Sequence, residues 1–426
     1  MLEFVFPRLI VVVVFTLLSL FIMIGGERKN ALFFTLISFF VFLYSGLGGC
    51  LSDTNPQYVS FYIIYILVLA CTIRFTKVGF KFSNEDDILF DKFIQNNGKK
   101  ILILYFFLSL ITLVYPEFKL LRLINPPSPD VYGIMGLVTE ENTDIISSVI
   151  YLVRTFMLPF FYWALYRYKG NFFAFSFFLF FSLYIDYCRD AYIGRYPILV
   201  ALIIIFLYYW RKSSRKKKLV MLTTILVLVP TLAYIFYQYT FLRHGGSIDA
   251  VGKNEAISIL LSQEIGYPTY FDQYKNYYDL ELIPRYIEWI LFLPLPGFLK
   301  FGLGDFPSDR FTYIISGLTR GDYGFSVFLP GIVGESYYIF GPSMFFIHAF
   351  LLGLLINTIY NSLKNLQSMT FVFIYYMVVL SFQMSRGGTL SIYPLIFKHF
   401  LILIIFLLIY RGSYGKKRKK TVVTIK

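Results

Sequence analysis

Long, uninterrupted apolar runs dominate the hydrophobic pattern of this sequence, and they do not alternate with polar positions. A helix that crosses a bilayer needs about 20 mainly apolar residues, and eleven runs approach that length. The pattern therefore predicts an all-α polytopic membrane protein with about eleven transmembrane helices (10–12). The runs are 5–24, 31–49, 59–73, 101–115, 145–166, 172–187, 192–210, 219–238, 342–360, 368–385 and 389–410.

A further apolar stretch, 324–340, differs from the others because Pro330, Gly331, Gly334 and Glu335 interrupt it. Proline and glycine disfavour a continuous helix, and a charge inside a span is costly. We interpret this stretch as a re-entrant or surface helix at the outer face, which leaves the count at eleven.

Basic residues predict the orientation of these spans. Six connections carry 24 of the 39 Lys and Arg residues and alternate regularly with eleven spans. Because cytoplasmic loops are enriched in Lys and Arg, all six are predicted to be cytoplasmic, with the C-terminus inside and the N-terminus outside. The six connections are 28–29, 74–100, 167–169, 211–218, Lys364 and 411–426. Within the second of these, we expect an interfacial cytoplasmic helix.

Span count and orientation together predict four regions. Residues 1–238 form an N-terminal bundle of eight helices, and 239–341 form a long, partly helical outer loop that includes the re-entrant segment 324–340. Three further transmembrane helices occupy 342–410. A basic cytoplasmic tail, 411–426, follows them.

Composition narrows the function classes. The chain is 57% hydrophobic and only 15% charged, with a mean hydropathy of +0.65, whereas soluble chains are roughly 25% charged. A water-soluble fold is therefore excluded. The net charge of +14 arises from the predicted cytoplasmic loops, so no nucleic-acid partner is predicted. Three Cys and three His show no disulfide or zinc spacing, and no nucleotide-binding loop is visible. We expect no cofactor and no metal.

Six arginines lie in or at the predicted outer half of the bundle, where the orientation rule disfavours positive charge. Guanidinium binds phosphate oxygens in a bidentate manner and stays charged, so the set predicts binding of a diphosphate at the outer boundary. For one of them, Arg154, the alternative is a salt bridge to Asp186 or Asp190; the arginines near 189–195 could likewise pair with those aspartates. The six are Arg154, Arg189, Arg195, Arg243, Arg320 and Arg386.

Two outer residues are candidates for general-base chemistry. Glu335 lies in an apolar stretch, and His244 is the only histidine of the predicted outer loop; a positioned carboxylate or imidazole can accept a substrate proton. The alternative for Glu335 is a pairing with one of the arginines. By contrast, His348 is more typical of a hydrogen-bonded histidine in helix packing.

Taken together, these features resemble those of a known family. The many spans, the long outer loop, the outer arginines, the stretch GESYYIFGPSMFFIHAFLLGLL (334–355) and the late outer SRGG (385–388) resemble the Wzy-type O-antigen or capsule repeat-unit polymerases, which belong with the O-antigen ligases. The resemblance covers most of the chain by architecture and about 320–388 by motif.

The resemblance implies a GT-C-like membrane glycosyltransferase of the bacterial inner membrane. It implies transfer of a growing glycan from undecaprenyl diphosphate onto a lipid-linked repeat unit, without nucleotide sugar or metal. Glu335 or His244 would deprotonate the acceptor hydroxyl. Partners would be the undecaprenyl-diphosphate-linked oligosaccharide, membrane lipids and a chain-length regulator protein. The diphosphate would be neutralised by Arg154, Arg189, Arg195, Arg320 and Arg386.

Three other classes stay open on the sequence. A flippase or exporter of lipid-linked oligosaccharide would place its charges along a central cavity, and an O-antigen ligase would differ only in its acceptor. A metal-dependent glycosyltransferase would need acidic residues in the first outer loop, where the sequence offers only Asp53.

Overall fold

The computed structural model describes only part of the chain. The described residues are 2–25, 31–51, 56–114, 145–190, 195–214, 216–221, 223, 277, 281–295, 307–319 and 330–424. Within these ranges helices predominate and no strand occurs. The prediction of an all-α protein is confirmed at this level.

The helices follow the apolar runs closely in the N-terminal part. They are α1 (Leu2–Ile24), α2 (Ala31–Leu36), α3 (Tyr44–Leu51), α4 (Pro56–Phe75), α5 (Asn84–Val114), α6 (Ile145–Leu165), α7 (Phe172–Asp190) and α8 (Arg195–Lys212). A π-helical segment, Ile37–Leu43, joins α2 to α3. The later helices are α9 (Leu282–Phe292), α10 (Pro307–Ser316), α11 (Gly331–Leu363), α12 (Thr370–Leu395) and α13 (Leu401–Thr424).

Seven helices of the described ranges are long and apolar enough to cross a membrane. They lie in α1, α4, α6, α7 and α11, in Gln367–Ser385 and in Gly388–Tyr414, and two shorter apolar helices cover Ala31–Leu47 and Pro197–Trp210. Large apolar side chains such as Phe21, Phe107 and Phe173 are exposed, as expected of a lipid-facing surface. The described part of the protein is therefore all-α and membrane-embedded. Most of the predicted run 219–238 lies outside the described residues.

Helix α5 corrects one sequence expectation. The charged segment within 74–100 is not a separate interfacial helix, because residues 84–114 form one continuous helix. Gly98 does not end it. A Cβ at this position would lie 3.4 Å from Cδ of Arg167, an ordinary van der Waals distance, and Gly98 is buried against the segment that follows α6.

Helix α11 is broken at Gly341, whose backbone angles (φ 72°, ψ 177°) are not helical. The hydroxyl of Ser336 donates to the carbonyl of Phe345 at 2.7 Å, although nine residues of straight helix would separate them by about 13 Å. Residues 331–340 therefore fold back on 342–363. Of the predicted re-entrant segment 324–340, residues 324–329 lie outside the described residues; its re-entrant character stays a prediction.

Helix α12 has a second break, at Gly388 (φ 55°, ψ −140°). Residues 370–387 form the first arm, and a new helical arm begins at Thr389. An unbroken helix hydrogen-bonds its own amides, whereas the first amides of a new arm need other partners. The break therefore creates a helix N-terminus inside the bundle.

Polar contacts join several elements at the opposite end of the bundle. Asp87 of α5 accepts hydrogen bonds from the amides of Gln367 and Ser368, each at 3.0 Å. Asp86 forms an ion pair with Arg411 of α13 at 3.1 Å. This end of the bundle contains the starts of α5 and α12 and the later part of α13. We call it the basic end because Lys77, Lys81, Lys364 and Arg411 lie there.

Candidate functional site

The carboxylate of Glu335 lies at the N-terminus created by the break in α12. Its side chain is fully buried, and its Oε2 accepts the amide proton of Thr389 at 2.7 Å. The hydroxyl of Thr389 donates to Oε1. A carboxylate is favoured at a helix N-terminus because the free amides and the helix dipole both stabilise negative charge. Glu335 thus caps the second arm of α12 from a position 54 residues away in sequence.

Gly388 makes this close approach possible. Its φ of 55° is in the left-handed region that favours glycine. A Cβ at this position would overlap Oε2 of Glu335, lie 3.0 Å from its Cδ and lie 3.3 Å from the Cα of Ile332. The arm before Gly341 and the break in α12 therefore fit together only where residue 388 has no side chain.

Tyr286 of α9 extends the hydrogen-bond network. Its hydroxyl is bonded to Oγ1 of Thr389. The single proton of the threonine hydroxyl is already donated to Glu335, so Tyr286 is the donor in this bond. Burial first, and then the neighbouring Tyr393 and Glu335, raise the pKa of Tyr286 well above its ordinary value, which keeps the phenol protonated.

His348, in the arm after Gly341, completes the network. Its Nε2 lies 3.7 Å from Oε1 of Glu335 and 3.4 Å from the hydroxyl of Thr389, and its Nδ1 is bonded to the hydroxyl of Tyr65 at 2.9 Å. Both ring nitrogens of His348 therefore have polar partners. The structure agrees with the prediction of a hydrogen-bonded packing histidine.

These five residues (Glu335, Thr389, His348, Tyr65 and Tyr286) are the Glu335 cluster. Thr389 donates to both oxygens of Glu335, whereas Tyr286 bonds to Thr389 and Tyr65 bonds to His348. Glu335, His348 and Thr389 are at most 1% exposed. Each oxygen of the Glu335 carboxylate thus accepts one hydrogen bond, and neither is exposed to solvent. In this state the cluster joins α4, α9, α11 and α12, and Glu335 reaches a substrate proton only if one of these bonds opens.

A second cluster surrounds Arg154, which is 7% exposed. Its Nε donates to Oγ of Ser109 at 2.9 Å, and its Nη2 donates to the hydroxyl of Tyr105 at 3.4 Å and to Oδ1 of Asp186. The guanidinium also lies 5.5 Å from the ring centroid of Tyr105. The sequence left two roles open for Arg154, diphosphate binding or a salt bridge to Asp186 or Asp190. The structure contains the salt bridge to Asp186.

Arg189 reaches the same carboxylate, because its Nη2 lies 3.5 Å from Oδ1 of Asp186. Two guanidinium groups therefore share one carboxylate oxygen, and these three side chains carry a net charge of +1. The Arg154 cluster, defined as Arg154, Arg189, Asp186, Ser109 and Tyr105, is thus a bonded structural group with an excess of positive charge.

The remaining predicted site residues are less fully defined. Arg195 begins α8, and Arg386 lies in α12 two residues before the break; their side chains are not described. Arg243, His244 and Arg320 lie outside the described residues. Among the described residues, no group of three His, Cys, Asp or Glu side chains is placed to hold a metal ion.

Thr389, Tyr65 and Tyr286 belong to the Glu335 cluster, yet no local pattern in the sequence singles them out. Tyr65 lies within an apolar run and Tyr286 within a long loop rich in tyrosine, so neither differs locally from its neighbours. Thr389 follows the SRGG motif directly. Its place after a two-glycine break was the one available signal, because threonine is favoured at helix N-termini.

We expect Thr389→Val to destabilise the Glu335 cluster, whereas Thr389→Ser does not. Valine keeps the backbone amide bond but removes the hydroxyl, which leaves one carboxylate oxygen and one phenol without that partner. Each such loss costs about 1–3 kcal/mol. Thermal unfolding in detergent measures this effect. If the Thr389 hydroxyl links Tyr286 to Glu335, the double variant Thr389→Val/Tyr286→Phe should be little less stable than Thr389→Val alone. A loss of unfolding temperature equal to the sum of the two single losses would contradict the network.

The comparisons with known proteins give no family assignment: no protein-family model, no curated protein and no solved structure matches this chain.

Proposed function

We propose that this protein is a polysaccharide (O-antigen or capsule) polymerase. It transfers a growing glycan from undecaprenyl diphosphate onto a lipid-linked repeat unit at the outer face of the bacterial inner membrane. The finer architecture belongs to this proposal: about eleven spans, a GT-C-like arrangement and a cytoplasmic C-terminus.

One observation carries the proposal. The broken helices α11 and α12 meet around Glu335, and the break in α12 lies two residues after Arg386. Buried ionisable groups in a membrane protein are costly and mark functional sites by default. Non-helical backbone at membrane depth is tolerated where it is buried in protein or lines a cavity. His348 lies about 24 Å along α11 from Lys364 at the basic end, which is consistent with a site at the predicted outer face.

The proposed reaction needs cationic residues for the leaving diphosphate and a base for the acceptor proton. An acceptor hydroxyl attacks the anomeric carbon of the donor glycan, the bond to the diphosphate breaks, and the leaving diphosphate takes the negative charge. Arginines stabilise that charge as it develops. The residues proposed for this role are Arg154, Arg189, Arg195, Arg243, Arg320 and Arg386.

The proton of the acceptor hydroxyl needs a base, for which Glu335 and His244 are the candidates. For Glu335, substrate entry must replace at least one of the two bonds donated by Thr389. If that replacement does not occur, Glu335 acts by positioning the break next to Arg386. Substrate-assisted opening of the cluster thus distinguishes a catalytic role from a positioning role.

Deletion of the gene tests the proposal in cells. We expect loss of long surface chains and accumulation of single repeat units on lipid, with little recovery on complementation with Arg386→Ala or Arg195→Ala. Arg310→Ala is the matched control, because Arg310 is an exposed arginine of the same predicted outer loop; this variant should restore long chains.

Long chains that persist in the deletion strain would overturn the proposal. Loss of all repeat units from the outer face would favour a flippase or exporter. Long chains that form but are not attached to their final acceptor would favour a ligase.

A further inference from the structure

A cavity of about 410 Å³ opens at the basic end of the bundle, between α1, α4, α11 and the segment 76–82. Its volume falls in the range of small-molecule sites, about 300–1,000 Å³. One of its walls includes Lys364, at the opposite end of α11 from the Glu335 cluster. The cavity is thus separate from the proposed polymerase site.

Positive charge surrounds this cavity. Four cationic side chains line it, and the lining, all of it within the described residues, contains no carboxylate. Like charges around one opening repel one another, and an anion between them removes that repulsion. The four are Arg74, Lys77, Lys81 and Lys364.

Two carboxylates at the start of α5 are engaged elsewhere. Asp86 accepts hydrogen bonds from the amide and hydroxyl of Ser83 and pairs with Arg411. Asp87 accepts from the backbone amides of Gln367 and Ser368. Neither of these two carboxylates lines the cavity.

A polar stripe on α11 holds the wall of the cavity in place. Asn357 donates to Oγ1 of Thr76 at 2.7 Å, and Asn361 donates to the carbonyl of Val78 at 3.0 Å. On the same side, the amide of Phe80 donates to the hydroxyl of Ser362 at 2.9 Å. The segment that carries Lys77 and Lys81 is therefore fixed before any ligand arrives, which lowers the entropy cost of binding.

The inner side of the same cavity is apolar. Met23, Phe34, Ile73 and Tyr360 line it, and these residues belong to helices that continue into the membrane-embedded bundle. A ligand that satisfies both halves has an anionic group at the level of the lysines and a hydrocarbon part beside these side chains.

We propose that this cavity binds the phosphate of an anionic phospholipid headgroup. Basic pockets between transmembrane helices are suited to phosphorylated headgroups, and lysine binds phosphate as a point charge. Free inorganic phosphate shares the charge but not the acyl chain, so the two sources can be separated experimentally.

The test measures the thermal unfolding of the purified full chain in a neutral detergent. Phosphatidylglycerol, phosphatidylcholine or inorganic phosphate is added, and the cavity variant Lys77→Gln/Lys81→Gln/Lys364→Gln is compared with the unchanged chain. Lys92→Gln/Lys99→Gln/Lys100→Gln is the matched control, because these three exposed lysines of α5 do not line the cavity. A third variant replaces the three cavity lysines with arginine and keeps their charge.

We expect phosphatidylglycerol to raise the unfolding temperature by about 2–4 °C in the unchanged chain, in the control variant and in the arginine variant, but not in the cavity variant. Phosphatidylcholine should have no such effect, and added salt should reduce the shift. An equal shift with inorganic phosphate alone would support the phosphate site and assign it to a soluble ligand. An equal shift with phosphatidylcholine, or a shift that survives in the cavity variant, would overturn the proposal.

Discussion

Gly388→Ala is expected to lose both the folded bundle and the activity, and to be more harmful than alanine at Gly317 or Gly412. An alanine at a left-handed φ costs about 1–2 kcal/mol, and a methyl group forced into filled space costs about 1–3 kcal/mol more. At Gly388 both terms apply, because the new Cβ would overlap Oε2 of Glu335. Thermal unfolding in detergent and long-chain synthesis in complemented cells measure the two losses.

Alanine variants at Gly317 and Gly412 separate the cost of the left-handed backbone from the cost of the steric overlap. Gly317 has a φ of 71° but open space where a Cβ would lie, and Gly412 has open space without a positive φ. Alanine at Gly317 should therefore show the backbone cost alone, and alanine at Gly412 should be close to neutral. If Gly388→Ala is no more harmful than Gly317→Ala, then the contact between Glu335 and the break in α12 is not as close as described.

Arg154→Met is expected to cost about 1–3 kcal/mol, because Ser109, Tyr105 and Asp186 lose a donor while Arg189 still pairs with Asp186. Asp186→Leu should also destabilise, since it removes the shared partner of Arg154 and Arg189. Replacing both members of a buried pair by apolar residues is often close to neutral. The double variant Arg154→Met/Asp186→Leu should therefore recover much of the stability lost in the single variants.

Activity of that double variant decides what Arg154 does. If Arg154 contributes charge to the diphosphate, then the double variant is stable but does not make long chains, and Arg154→Lys retains part of the activity. A stable double variant with full activity would show that Arg154 serves only the fold. The proposed set of phosphate-binding arginines would then lose this member.

The sequence indicates the breaks in the helices but not the partners that meet there. Gly341-Pro342 and Gly387-Gly388 interrupt apolar runs, and glycine and proline have local conformational effects that a sequence displays directly. The contact between Glu335 and Thr389 spans 54 positions, and that between Tyr65 and His348 spans 283. Such pairings follow from tertiary packing, which no local pattern encodes.

At the charged start of α5, the sequence indicates a helix end that the structure does not contain. Asn96, Asn97 and Gly98 followed by two lysines are typical of a helix end, yet the helix continues to Val114. Gly98 is buried against the segment that follows α6, and tertiary packing can override weak local propensity. The salt bridge of Arg154, by contrast, was one of two alternatives that the sequence offered, because a buried guanidinium needs a carboxylate or several acceptors.

Reconstitution tests the central claim most directly. The purified protein is placed in liposomes with its undecaprenyl-diphosphate-linked repeat unit and without nucleotide sugar or ATP, and the products are separated by size. We predict a ladder of lengthening glycans, release of one undecaprenyl diphosphate for each bond formed, and no ladder with Arg386→Ala. Repeat units that stay single, including units that cross the bilayer without being joined, would contradict the assignment as a polymerase.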